Sequence, residues 1–562
     1  LKKKFSYFLI FLLLCSSFVG SQSVFASESA LKADLIFKNG FVYTVDENRS
    51  MAKAVAIKDG EIVYVGDNEG VKAFKGTDTK VIDIKDKMLI PGIIDSHSHM
   101  YAKSEELFWL DLNPYKTMKK YSKSIKEFRK KNPNLEQLRG VGWNKSLVKK
   151  ESESRKLAPK KLLDEVASDI PVVMIDNDHH TIWVNSKALE LAGIDKDTPN
   201  PQGGVIERDP VTGEPTGIIR EFTGIALLVE GLPEPYFTVE QNKMGILAFQ
   251  EMAAERGTTS VFVPLAGESP HETLLDALKE LEKEGKLTLR YEIALWVNES
   301  KGPEQVERFK KLRDGHQGRL YNANSVKIFA DGEDFKSTWE QDHLEKVVAA
   351  ADKEGFRFFV HAFGPGVNAS LDAFEKAAAQ NGKRDSRHVI THLPNPSDEE
   401  LQRMKELGVI PSPQPGSYWG VTRMKSYFDM GIPVSASSDF PVNDFWPMDG
   451  IQGGMIAKDE EGKLIPEESA SLEQMITSYT LNGAHLLFKE DEIGSIEVGK
   501  KADLVVLEKN LFEIPVEEIN DTKILMTFFE GQEVFRNPSF DSGTKPPGKI
   551  NSVKGPLQRL AE

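Results

Sequence analysis

The sequence predicts an α/β protein built on a (β/α)8 TIM barrel. A small composite β-sandwich drawn from both ends of the chain and a large insertion after the first barrel strand complete it. Apolar runs of strand length alternate with helical patterns through the middle of the chain, as in a parallel sheet. Eight such runs can be counted, at residues 88–97, 258–264, 288–297, 325–330, 356–361, 388–392, 408–413 and 432–438, which suggests a (β/α)8 barrel. Short strand-and-turn texture stands before and after this stretch, in pieces too small to make a good sheet alone.

Taken in order, Lys2, Lys3 and Lys4 precede an apolar run from Phe5 to Leu14 and a small-residue stretch ending at Ala26. This reads as a signal peptide over 1–26, and so as a secreted or extracytoplasmic protein. Ser16, Ser17 and Gly20 interrupt the run too soon for a membrane span. Lipid anchoring at Cys15 is the less favoured reading, because a leucine stands before it where a small residue is expected. Residues 27–90 carry hairpin signals such as Asn39-Gly40 and Asp59-Gly60 and form the N-terminal part of the sandwich. The barrel follows over 91–480, with helical patterns at 274–284 and 343–354 between strands. Its first and second strands lie much further apart than a crossover needs. The insertion, about residues 100–255, has helices at 116–129 and 186–192, a strand at 171–175 and a hairpin around 209–215. Strand texture returns over 481–540, and a polar Gly- and Pro-containing tail fills 541–562.

Composition excludes several classes. The 562 residues include 71 Lys+Arg against 86 Asp+Glu, a formal net charge of −15, which argues against nucleic acid as a partner. With one cysteine, this chain can form neither an internal disulfide nor a cysteine-based zinc site. A metal here would have to rest on histidine, carboxylate or something less usual.

The strongest local signal is Pro91-Gly92-Ile93-Ile94-Asp95-Ser96-His97-Ser98-His99. Alternation along a strand puts His97 and His99 on one side with Asp95 behind them. A pair of surface loop histidines would look the same, but other strand ends carry ionisable groups too: His361 on the fifth, His392 on the sixth and Asp439 on the eighth. Metal ligation explains all of them together. His388, Ile390 and His392 are expected to share a face of the sixth strand. Lys327 lies within the fourth strand, where a free ammonium costs several kcal/mol to bury unless it is paired. It is either salt-bridged to Asp331 or Asp439, or deprotonated and carboxylated by carbon dioxide.

In this order the motifs resemble the amidohydrolase superfamily, and within it the family-3 amidohydrolases of the YtcJ type. Further matches are Gly140-Val141-Gly142-Trp143-Asn144, Asp178-His179-His180, Gly213-Glu214-Pro215-Thr216-Gly217 before Glu221, and Ser412-Pro413-Gln414-Pro415. The stretch Ile493-Gly494-Ser495-Ile496-Glu497-Val498-Gly499-Lys500-Lys501-Ala502-Asp503-Leu504 completes the set. The resemblance covers nearly all the chain after the leader. It departs at His179, Pro365 and Thr391, where relatives often carry glycine, aspartate and glutamate.

The resemblance implies hydrolysis of a non-peptide carbon–nitrogen bond in a small amide-type substrate by one or two divalent metal ions, with zinc the first expectation. It implies that His97, His99 and Asp439 hold the more buried ion and that His361 and His392 hold the other. Lys327, as a carbamate, bridges them, and Asp439 is the catalytic base and then acid. Trp143, Asp178, His180, Glu221 and Gln414 are candidate substrate contacts, with Asp95 and His388 candidates for supporting the ligands. Stable membrane insertion is not expected once the leader is removed, and a homodimer is left open. Two competing readings are an exported binding or regulatory protein without turnover, of the exoenzyme-regulator type, and a metal-dependent esterase or phosphoesterase.

Overall fold

The computed structural model describes residues 31–542 except 178, 233–235, 266–270, 333–334, 418–419 and 460. The leader 1–26, Asp178 and nearly all of the tail 541–562 therefore lie outside the described residues.

At the centre is a parallel sheet of seven strands in chain order: Ile93–Asp95, Thr258–Pro264, Arg290–Trp296, Tyr321–Phe329, Arg357–Ala362, Val389–His392 and Ile410–Ser412. The expected eighth strand is an extended segment rather than a ladder strand, yet it bridges the two sheet edges. Ser435 N and Ser437 N donate to Pro411 O and Pro413 O at 3.0 and 3.1 Å, while Asp439 N donates to His97 O at 2.8 Å. The sheet is thus curled in the manner of a barrel. Strand one differs from expectation. The run 88–97 is divided, Met88–Pro91 pairing in a terminal sheet and Ile93–Asp95 in the central one. The division falls at Gly92, where a Cβ would stand 2.3 Å from Thr259 Oγ1, so only glycine lets the chain pass.

Alternation along these strands sorts two cores. Val326, Ile328, Phe358, Val360 and Ile390 face outward, against helix residues such as Leu344, Val347 and Val348 of Gln341–Lys353. Ile94, Phe262, Ala294, Phe359, Val389 and Ile410 fill the interior. Branched and aromatic side chains close the lower barrel and leave the polar residues to its C-terminal rim.

Between the first and second strands the chain forms a separate six-stranded sheet, including Leu138–Val141, Val172–Ile175, Thr181–Val184 and Pro215–Arg220. Several of these strands are too short for hydrophobic alternation to register. At the ends of the chain, one four-stranded sheet uses N-terminal strands alone. A six-stranded sheet joins Phe41–Tyr43, Met51–Ala52 and Met88–Pro91 to Leu504–Leu507, Ile524–Phe529 and Gln532–Arg536.

Candidate metal centre

His97 and His99 leave the first strand with their Nε2 atoms 3.2 Å apart. Asp439, at the end of the eighth segment, places Oδ1 3.4 Å from His97 Nε2 and 3.3 Å from His99 Nε2. Three donor atoms from two neighbouring segments thus converge, and among the described residues this is the cluster with metal-ligand spacing. Burial, followed by the nearby charge of Lys327, holds His97 well below the ordinary imidazole range. A neutral ring keeps a lone pair for a metal. His99 is anchored from behind, its Nδ1 lying 2.9 Å from Tyr101 OH and 3.3 Å from Pro264 O.

His392 joins this group through an irregular backbone. Strict alternation would send it outward with His388 and Ile390; its φ of 71° turns it back. Its ring centroid lies 5.2 Å from that of His97 and 4.4 Å from that of His361. Asp439 is also left-handed, with φ 59°. Strained backbone at two rim residues is the kind of cost that a structure retains where a side chain must be aimed.

Lys327 points into the barrel and is fully buried. Its Nζ lies 4.6 Å from the Phe329 ring and 5.2 Å from that of Phe359, and has no hydrogen-bond partner. The expected salt bridge to Asp331 or Asp439 is not formed. Burial lowers its pKa to about 7 despite the charges of Asp439 and Asp331. His97, His361 and His392 are likewise held neutral by burial. An orphaned buried amine beside three neutral imidazoles fits a site completed by a cation and a carboxylated lysine, since a bare ammonium would repel the ion. Asp331, named from the sequence only as a salt-bridge partner for Lys327, stands with Oδ1 3.0 Å from His361 Nε2. Strand alternation held the signal, because Lys327, Phe329 and Asp331 have the same parity.

The insertion brings His180 to the rim, its ring 6.5 Å from that of His361, and Glu221 Oε2 holds His180 Nδ1 at 2.8 Å. Beside them Glu299, buried and bonded by Thr338 Oγ1 at 2.9 Å, has its pKa raised to about 8 by burial.

Other candidates fall elsewhere. Trp143 is buried in the core of the insertion against Trp183. His388 lies at the far end of the sixth strand, its Nδ1 accepting from Phe358 N and its ring against Phe374; four steps of about 3.3 Å each separate it from His392. Gln414 reaches His392 Nδ1 through Oε1 at 2.9 Å, and the residue also lines a pocket with Pro415, Gly416 and Trp446. Asp95 accepts from His97 N at 3.0 Å and Ser438 N at 3.2 Å, tying together the two segments that carry the candidate ligands, and burial raises its pKa to about 7.

The three departures have local explanations. His179 has φ 62°, a conformation that glycine adopts freely, and its Nε2 faces Glu105 Oε2 at 3.7 Å. Pro365 begins the helix Pro365–Asn381, a position suited to proline. Thr391 Oγ1 lies 2.7 Å from His97 Nδ1.

A curled parallel α/β sheet with histidines and aspartate gathered at its strand ends defines a hydrolase scaffold of the metal-dependent kind. A family model described as the amidohydrolase family matches residues 80–535, and the chain belongs to that family. It is 27% identical over 540 residues to a putative amidohydrolase, YtcJ, of Bacillus subtilis, covering 89% of this chain and 99% of the relative. Over 547 residues it is 25% identical to an N-substituted formamide deformylase of Arthrobacter pascens, covering 89% and 97%. In fold it resembles an uncharacterized metal-dependent hydrolase of Pyrococcus furiosus, with a TM-score of 0.64, 24% identity and coverage of 85% and 99%. The chain is a hydrolase.

Proposed function

We propose that this protein hydrolyses a carbon–nitrogen bond other than a peptide bond, in a small amide, formamide or cyclic amide. The convergence of His97 Nε2, His99 Nε2 and Asp439 Oδ1 carries the reading. These three would hold one divalent ion, zinc being the first choice for such donors, and His361 and His392 would hold a second. Lys327 Nζ, deprotonated, would add to carbon dioxide and release a proton to solvent, and the resulting anionic carbamate would supply a further oxygen ligand beside these histidines. When bound, the metal supplies the Lewis acidity that polarises a carbonyl and lowers the pKa of water.

The chain's own residues do the rest. Asp439 takes a proton from the attacking water onto its carboxylate and returns it to the leaving nitrogen. Asp95 keeps the backbone of His97 and Ser438, and so Asp439, in place. His180, oriented by Glu221, is placed to meet the substrate carbonyl at the rim. N-substituted formamides are the first substrates to test, given the name of the Arthrobacter relative.

The test is Asp439→Asn assayed on a panel of N-acyl amines, formamides and cyclic amides. Metal content should stay near that of the wild type while kcat falls by about 10²–10⁴. Near-normal turnover in the variant contradicts the assigned role. A wild-type chain that binds metal but cleaves esters or phosphoesters in preference points to the esterase reading instead.

A further inference from the structure

We infer that Thr391 and Gln414 are positioning residues that fix the tautomers of His97 and His392, so that both rings carry hydrogen on Nδ1 and offer Nε2 to the metal. The inference rests on the proposal that these histidines are ligands.

Each proton in this network has one place to go. Thr391 Oγ1 lies 2.8 Å from Ser412 O, a carbonyl that can only accept, so the hydroxyl proton is committed there. The same oxygen must therefore accept from His97 Nδ1 at 2.7 Å, and it shares one of the two Gln414 amide hydrogens, at 3.2 Å, with Ser412 O. The Gln414 amide is oriented by the same logic. Its nitrogen faces Ser412 O at 3.2 Å and Ser437 Oγ at 2.8 Å. Ser437 Oγ has its own carbonyl acceptor in Pro413 O at 3.2 Å, so it too is left to accept from the amide. Gln414 Oε1 is then the end that faces His392 Nδ1 at 2.9 Å, and an amide oxygen can only accept. Hence His392 carries hydrogen on Nδ1.

Every link ends on a backbone carbonyl of the seventh strand or the loop after it, so no partner in the chain can reverse direction without leaving a buried donor unsatisfied. Thr391 and Gln414 are both buried, which makes such a loss costly. Thr391 thus does for His97 what a carboxylate does in many metal sites: it holds the remote nitrogen and orients the ring. It does so without adding a charge beside buried Asp95 and Asp439.

The test uses the full chain, stripped of metal, as wild type, Thr391→Val, Thr391→Ser and Gln414→Met. Zinc affinity is measured by competition with a chelating dye, histidine tautomers by long-range nitrogen-15 NMR, and folding by thermal melts. Thr391→Val and Gln414→Met should weaken zinc binding by about 10–100-fold, while Thr391→Ser, which keeps the hydroxyl, should stay within about threefold of wild type. The wild-type spectra should show Nδ1–H rings at His97 and His392. Equal zinc affinity in folded Thr391→Val, or an Nε2–H ring at either histidine in the wild type, overturns the inference. If Thr391→Val does not fold, the wild-type spectra and Thr391→Ser still decide it. Wild type that takes up no zinc defeats the metal reading instead, and the nitrogen spectra by themselves then support or overturn the tautomer assignment.

Discussion

Asp331 Oδ1 lies 3.0 Å from His361 Nε2, at the ends of the adjacent fourth and fifth strands. On the proposal that His361 is a metal ligand, this close contact occupies Nε2 and leaves Nδ1 for coordination. Asp331→Asn should weaken the second metal ion by about 10–100-fold, seen as loss of one equivalent on dialysis while the first is retained. Full retention of both equivalents in the variant contradicts this arrangement.

Metal-free protein should show an unusual pH dependence of stability. Burial lowers Lys327 from 10.5 to about 7, so between those values the unfolded chain binds the proton more strongly. Stability from this residue therefore rises with pH over that window. Asp95 and Asp331, raised from 3.8 to about 7 by burial, act below it, favouring the folded state in acid and losing that contribution as pH climbs to about 7. Glu299, raised from 4.5 to about 8 by burial, opposes Lys327 up to about pH 8, so thermal melts of metal-free wild type should move upward from about pH 8 to 10, and Lys327→Met should abolish the rise. A rise of the same size in the variant assigns it to other groups.

Trp143 separates packing from recognition. It sits among Leu110, Leu112, Tyr121, Val148 and Trp183 in the core of the insertion. Trp143→Ala should cost about 3–5 kcal/mol in chemical denaturation. A variant of wild-type stability with only a raised KM would restore the substrate-contact reading.

Much of this fold is legible in the sequence, for physical reasons that can be named. Parallel strands between amphipathic helices leave a strong pattern, and a candidate ligand at a strand end is visible as an ionisable residue closing an apolar run, as at His361 and Asp439. Three features are not legible. The run 88–97 looks continuous, because nothing in composition marks the change of sheet at Gly92. His388 and His392 have identical parity in sequence, and only the left-handed φ at His392 separates a ligand candidate from a core histidine. Gln414 is found by its motif, but a motif does not say that its amide oxygen faces His392. By contrast, Asp331 could have been found, since it continues the inward row of Lys327 and Phe329.

If these strand ends hold a divalent metal on which hydrolysis depends, metal uptake and turnover must rise together. Zinc titration of metal-free wild-type protein, with bound metal and cleavage of an N-substituted formamide followed in the same samples, measures both. One to two equivalents should bind, and activity should return in proportion to the metal taken up. Saturating zinc with no bound equivalent, or hydrolysis that proceeds unchanged after metal is stripped, would contradict it.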